Sequence, residues 1–339
     1  MAVSHVNSPT SSVRWDEFRE AVGRARTFVL TSHIRPDCDA LGSELGMAGI
    51  LRSMGKVVRI VNGQSTPPNL TFLDPRGELE TLGEEVTPAD VLACDALIVL
   101  DTSAWIQLGS MADVVREFAG FKILIDHHAS DDDLGAIRFK DTSIEATGRL
   151  VLEAADALGV PLTSEMATAL FAAIATDTGW FRFGSTKGET YRVAARLVDA
   201  GAVPASIFQA LYERDTAGRV RLRGLILTRL LVEMEGRLVH TFVHAEDFAT
   251  MRAEPSDTED VINQTLAIAG TEFAVIFVGL MDGGYKISFR SRGRVDCDQL
   301  ARTFGGGGHK AAAGATVRAS FAEVQARVLE EVRQALQSG

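Results

Sequence analysis

Cysteine is scarce: Cys38, Cys94 and Cys297 are the only three in 339 residues, and no two stand in a CxxC pair. That pattern argues against a disulfide framework and a thiolate zinc site, and a reducing, cytoplasmic setting is expected. Long apolar runs are also missing. Nothing approaches the ~18 residues of a spanning helix, and the opening MAVSHVNSPTSSVRW lacks an apolar signal core, so neither export nor a membrane is expected. Positive charge is in deficit, with 34 Lys and Arg against 45 Asp and Glu, a net charge of −11. A long duplex is held through many phosphate contacts to Lys and Arg, so this balance disfavours one and leaves open a small anionic ligand. Glycine and proline number only 31 and 9, and 46% of residues are hydrophobic, which excludes a disordered or fibrous chain.

What is present is a pair of α/β patterns, since 339 residues exceed what one core usually serves. Residues 1–13, rich in Ser and Pro, read as a loose leader before a helix near Trp15–Ala25. TFVLTS (27–32), KVVRIVN (56–62), DALIVLD (95–101) and FKILID (121–126) read as strands separated by crossover helices such as 40–53. This alternation predicts a parallel sheet with helices on both faces over residues 14–185. Helical segments broken near Gly201–Pro204 read as a connector over 186–218. Beyond it, strands at 237–244, 272–280 and 285–290 alternate with helices near 257–269, 296–303 and 321–336, predicting a smaller α/β domain over 219–339. The DGG at 282–284 signals a hairpin, so this second sheet is expected to be mixed.

Acids and imidazoles recur at the C-terminal ends of the first set of strands, the edge where α/β folds place ligands. SHIRPDCDALGS brings His33, Asp37 and Asp39 to a strand-to-helix turn; Asp101 ends the next strand, Asp126, His127 and His128 the one after, and Asp177 ends an apolar helix. One such segment could be a helix cap or a solvated turn, but four converging on a patch point to divalent cations holding the carboxylates together. Carboxylate and imidazole without thiolate suit Mn²⁺ or Mg²⁺, and the ligand count exceeds one ion's needs. Two ions bridged by a carboxylate are suited to phosphoester hydrolysis. Downstream, Gly305, Gly306, Gly307 and Gly308 followed by His309 expose backbone N–H groups that could approach an anion, and Arg290, Arg292 and Arg294 lie just upstream, Arg290 being the strongest of the three.

The HxxxDxD segment, the strand-end Asp, the DHH triplet and the later Asp resemble the four motifs of the DHH phosphoesterase superfamily, in order, within residues 33–177. SFRSRGRVDCDQLARTFGGGGHKAAAGA (288–315) is similar to the DHHA1 domain found in one branch. Together they resemble the bifunctional oligoribonuclease and pAp phosphatase group, whose actinobacterial relatives also hydrolyse cyclic dinucleotides. The resemblance implies that His33 and Asp37 hold one metal, Asp39, His127 and Asp177 the other, and that Asp101 bridges them. It implies Asp126 as an orienting acceptor and His128 as the contact to the scissile phosphate. The implied cofactors are two divalent ions, Mn²⁺ first, with Mg²⁺ or Co²⁺ as alternatives. The implied partners are short oligonucleotides, cyclic dinucleotides and nucleoside bisphosphates, gripped by Arg290 and the 305–309 loop across a cleft, in a homodimer. Rival readings are a pyrophosphatase or exopolyphosphatase, a long-strand exonuclease, and a nucleotide-sensing regulator without turnover. His5, His240, His244 and Asp131–Asp133 are discounted as ligands, Ser143 or Thr147 is expected to cap a helix, and Cys38 is expected to fill space.

Overall fold

The computed structural model describes residues 11–258 and 261–338, which divide into two compact units, 1–213 and 214–339. In the first, β1 (Thr27–Thr31), β2 (Val57–Asn62), β3 (Leu79–Thr81), β4 (Ala96–Leu100), β5 (Phe121–Asp126) and β6 (Ile137–Lys140) form one sheet. Its order is β3-β2-β1-β4-β5-β6, parallel throughout. The chain steps outward from β1 in one direction and, through β4, in the other. This is the topological switch that opens a crevice at the strands' C-terminal ends. β3 and β6 were not expected as strands; they are edge strands of three and four residues, IRFK alternating charge with apolar side chains, too short for a periodic signal.

The strands bury both faces. Phe28, Leu30, Ile98 and Ile125 face one core while Val29, Leu97, Val99 and Leu124 face the other, the alternation that a two-residue side-chain period requires. α1 (Trp15–Gly23) precedes these strands, α2 (Cys38–Ser53), α3 (Pro88–Leu92) and α4 (Met111–Glu117) lie between them, and α5 (Thr147–Leu158) and α6 (Ser164–Asp177) follow the last. α2 and α6 pack with their backbones unusually close: a Cβ on Gly42 would lie 2.4 Å from the Ala169 carbonyl oxygen, and one on Gly46 2.6 Å from Leu170. The pairing is antiparallel, Gly42 meeting Ala169 and Gly49 meeting Met166, so the start of α2 lies beside the end of α6. Leu170, fully buried in that seam, contributes about 2 kcal/mol by burial alone.

Residues 1–10 of the expected leader, His5 among them, lie outside the described residues. Ser11 and Ser12, expected to be loose, are tied down instead. Ser11 bonds the Glu153 carboxylate, which also accepts the Trp15 indole N–H, and Ser12 N–H donates to Asp141 at 2.8 Å. The stretch read as a connector carries α7 (Gly188–Asp199) and α8 (Pro204–Tyr212). Val193, Ala194 and Leu197 of α7 and Ile207 of α8 are buried in the first unit's core.

The second unit begins with α9 (Ala217–Thr228) and continues through β7 (Leu231–Glu233), β8 (Leu238–Val243), α10 (Ala245–Met251), α11 (Val261–Leu266), β9 (Phe273–Gly279), β10 (Tyr285–Ser291), α12 (Cys297–Thr303), β11 (Gly307–His309), β12 (Ala312–Val317) and α13 (Phe321–Ser338). Its sheet runs β11-β12-β10-β9-β8-β7 and is mixed, β8 and β9 pairing parallel and every other neighbouring pair antiparallel. The β9–β10 turn holds Gly283 and Gly284 at φ 92° and 83°, the left-handed region that DGG anticipates. Among the described residues no helix is long and apolar enough to cross a membrane.

Candidate metal centre

Each acid of the first unit reaches the crevice by a local cause. Asp37 caps α2, its Oδ1 accepting the N–H groups of Asp39 (2.9 Å) and Ala40 (3.1 Å), which holds it at the mouth of the helix. Asp39 sits in the first turn of α2 and is buried; its two oxygens accept the N–H groups of Thr147 (2.7 Å) and Gly148 (2.8 Å) at the start of α5. Asp101 follows β4 at φ 61°, a conformation L residues seldom adopt, pinned by its N–H to the Ile125 carbonyl (3.0 Å). The Thr147 hydroxyl donates to Asp101 Oδ1 at 2.8 Å. Thr147 was expected as a cap; the cap position belongs to Ala146, and Ser143 bonds Asp141. Asp177 closes α6, carried to Asp39 by the close α2–α6 seam.

The ligand-type atoms fall into overlapping groups, each within 4.8 Å: His33, Asp37 and Asp101; Asp39, His127 and Asp177; and Asp101, His127 and His128. His127 Nε2 lies 3.6 Å from Asp39, 3.6 Å from Asp101 and 3.5 Å from Asp177, and His33 Nε2 lies 3.4 Å from Asp101. Asp101 stands in two of these groups, with His33 and Asp37 and with His127 and His128, and His127 links the latter to Asp39 and Asp177.

The donor chemistry fits divalent cations. His127 Nδ1 faces the Ile144 carbonyl at 3.2 Å and His33 Nδ1 the Ile34 carbonyl at 2.9 Å, so each ring can donate from Nδ1 and keep a lone pair on Nε2. His127 Nε2 is buried and has no hydrogen-bond partner among the described residues, although three carboxylates surround it. Burial, joined by repulsion from Asp101, pushes the Asp39 carboxyl well above its ordinary range, and burial with repulsion from Asp37 does the same to Asp101. Positive charge among them would relieve both penalties. Cys38 keeps its proton, burial pushing its thiol up to about 12, as suits a space-filling side chain.

Beside the groups sits a proton-ordering chain. Asp126 is buried and accepts from His128 N–H (3.0 Å), faces His128 Nδ1 (3.0 Å) and accepts from Lys140 Nζ (2.8 Å). Burial alone would raise the Asp126 carboxyl, but the bonds from His128 and Lys140 hold it below the ordinary carboxylate range. The bond to Asp126 in turn raises the His128 imidazole. Lys140, on the unexpected strand β6, was missed; its partner is 14 residues away with no helical or strand spacing to betray it. A cavity of roughly 600 Å³ opens here, with His33, Asp37, Asp101, Gln107 and His128 on its wall.

In the second unit Arg290 points onto the face of β10 that carries Lys286 and Ser288, lining a recess of about 360 Å³ with Thr258 and Ile262. Arg292 donates to the Leu266 carbonyl (2.8 Å) and Arg294 pairs with Glu272 (3.7 Å). The glycine run is only partly a loop. Gly307–His309 form β11 against β12, and a Cβ on Gly306 would lie 2.1 Å from the Gly314 carbonyl oxygen, so close strand approach demands glycine. The Gly308 N–H is already used by the Asp298 carboxylate at 2.8 Å. The discounted residues have internal partners: His240 with Glu233 (3.0 Å), His244 with Tyr285 (2.7 Å), Asp132 with the Trp105 N–H (2.9 Å), and Asp131 with Arg138.

Fold and site together define a class: a two-unit α/β protein whose parallel sheet presents a cluster of carboxylates and imidazoles that could hold metal. Residues 27–174 match the DHH family N-terminal domain and residues 238–338 the DHHA1 domain. The chain is 34% identical to the bifunctional oligoribonuclease and PAP phosphatase NrnA of Thermus thermophilus, covering 91% of this chain and 89% of that protein. It is 29% identical to the protein of the same name from Bacillus subtilis, covering 86% and 89%. An exopolyphosphatase-related protein from Bacteroides fragilis superposes with a TM-score of 0.82 at 27% identity, covering 97% of this chain and 98% of that one. The chain belongs to the DHH family, with a DHHA1 domain following its DHH domain.

Proposed function

We propose that the chain is a metal-dependent phosphoesterase that hydrolyses oligoribonucleotides of a few residues to nucleoside 5′-monophosphates and 3′-phosphoadenosine 5′-phosphate (pAp) to AMP and phosphate. The observation that carries the reading is the buried Nε2 of His127, without a hydrogen-bond partner among the described residues and set amid Asp39, Asp101 and Asp177. The names of the relatives in Thermus thermophilus and Bacillus subtilis supply the substrate class.

His33, Asp37 and Asp101 would hold one divalent ion, and Asp39, His127, Asp177 and Asp101 the second. Manganese fits the oxygen-rich, thiolate-free set best, with Mg²⁺ or Co²⁺ as substitutes. Bound there, such ions supply Lewis acidity that activates water and neutralises charge on a phosphate. The rest is done by side chains. The hydroxyl of Thr147 and the strained backbone of Asp101 keep the shared carboxylate aimed inward. Lys140 keeps Asp126 ionised, and Asp126 fixes the His128 ring so that its Nε2 can give a proton to the departing oxygen. Arg290, Gly305–Gly308 and His309 serve as a second grip on the substrate. A cytoplasmic homodimer that also takes cyclic dinucleotides completes the proposal.

The test is turnover with Mn²⁺ of pAp, linear diadenylate, cyclic di-AMP, a 24-residue RNA and pyrophosphate, beside calorimetric counting of bound Mn²⁺. AMP from the short substrates, two ions bound, and loss of turnover in Asp101→Ala are expected. Preference for pyrophosphate or polyphosphate would overturn the substrate class, and silence on all five with tight nucleotide binding would favour a sensor.

A further inference from the structure

The cavity beside the metal centre is walled by acids and imidazoles, and Arg35 is the sole Lys or Arg among the described residues that line it. Its backbone is held at φ 54° by two bonds: its own N–H to Gln64 Oε1 at 2.7 Å, and the preceding Ile34 N–H to the Gln107 carbonyl at 2.6 Å. A left-handed arginine is costly, so the surrounding loops must impose the placement. Several other arginines of the unit are matched to acids, Arg52 to Glu78 and Arg59 to Glu80 among them, each at 2.6 Å. Arg35 is exposed and forms no ion pair among the described residues, although its near neighbours His33 and Asp37 belong to the ligand groups.

We propose that Arg35 binds the 5′-phosphate of the nucleotide that leaves. The inference rests on the phosphoesterase reading above and narrows it. In pAp, and in a short RNA cut to 5′-monophosphates, the same P–O3′ bond breaks. The water oxygen joins phosphorus, the electron pair of the broken bond departs with O3′, and O3′ takes up a proton. In both, a 5′-phosphorylated substrate releases a nucleoside 5′-phosphate, one sugar away from the attacked phosphorus. On a chain of net charge −11, beside Asp37 and Asp101, that second phosphate needs a cation, and a guanidinium offers it a forked, charge-assisted contact. One residue then lets a bisphosphate and a short RNA share a single site. A cyclic dinucleotide presents its other phosphodiester at the same place.

The experiment compares pAp with adenosine 3′-phosphate, and 5′-phosphorylated ApA with plain ApA, on the Mn²⁺-loaded full chain. Arg35→Ala should lower kcat/KM for the two 5′-phosphorylated substrates by roughly 10- to 100-fold, carried by KM, the range of a charge-assisted hydrogen bond. The two substrates without a 5′-phosphate should change by less than about twofold. Arg35→Asn, which tolerates the left-handed backbone, should behave like Arg35→Ala, and Arg35→Lys should recover part of the loss. Equal loss on all four substrates, no loss on the 5′-phosphorylated pair, or removal of the preference by Arg290→Ala instead would each overturn the proposal. If the wild type turns over none of the four, the phosphoesterase reading fails; calorimetric binding of pAp against adenosine 3′-phosphate then still decides Arg35, and an unchanged ratio in Arg35→Ala sinks it.

Discussion

Two sets of acidic side chains are treated in opposite ways, the buried Asp39 and Asp101 of the first unit's cluster and the arginine-paired acids of the second unit. In the first, Asp39 and Asp101 are buried next to one another and pushed above the ordinary carboxylate range. In the second, Glu233 is held down by Arg333, Glu272 by Arg237, and Asp298 by Arg302. Asp247 also falls, since the bonds from Arg229 outweigh its partial burial. Matched pairs near the surface add little stability and constrain little, whereas buried like charges are costly and persist only where function uses them. The contrast marks the Asp39 and Asp101 cluster of the first unit as the candidate centre of chemistry.

The sharpest break of this contrast is at Asp101. Asp101→Asn should cut turnover on the order of 10³-fold or more, while raising the Tm of the metal-free protein because a buried repulsion is gone. A fall in both would mean that Asp101 is a structural acid. Next, Lys140→Met should lower kcat roughly 10- to 100-fold through the freed Asp126 and His128, with the number of bound Mn²⁺ ions unchanged in calorimetry.

Gly306→Ala should cost about 1–3 kcal/mol in denaturant unfolding of the second unit, because its Cβ meets the Gly314 carbonyl, and should weaken nucleotide binding without touching metal binding. The pH response should also differ between the two sets of acids in hydrogen exchange of the segments around them on metal-free protein. Asp39 and Asp101 bind more protons folded than unfolded, so their contribution to stability should be lost as pH rises above the unfolded carboxylate range, against the opposite contribution of the lowered Asp126 and Asp141. Lowered carboxyls in the second unit, Glu233 and Asp247 among them, should lose their contribution as pH falls through that range. Parallel slopes around the two sets would remove the contrast. Smallest of all, breaking the exposed Arg318–Asp282 pair should leave the Tm unmoved in calorimetry.

Much of the centre was legible because chemistry and topology repeat together. His33, Asp101, Asp126 and His127 each lie at or just past the end of a strand of five or six residues, and parallel strands place such ends on one edge. The supporting residues were not. Thr147 meets Asp101 across 46 residues and Gly148 meets Asp39 across 109, and no local period records such partners. The strands β7, β11 and β12 escaped notice as well. KAAAGA reads as a small-residue stretch, yet Ala312–Val317 pairs along its length with β10, because the neighbouring backbones leave no room for larger side chains.

The amino-acid order by itself determined the α/β class, the parallel first sheet and the set of metal-type ligands, since periodicity and strand-end acids are local properties of the chain. Only the tertiary structure decided that the Nδ1 atoms of His33 and His127 face carbonyls, that Asp101 stands in two of the ligand groups, that Lys140 bonds Asp126, and that Arg35, beside the centre, forms no ion pair among the described residues. Those outcomes depend on distances between segments far apart in sequence, which are set when the helices and strands pack.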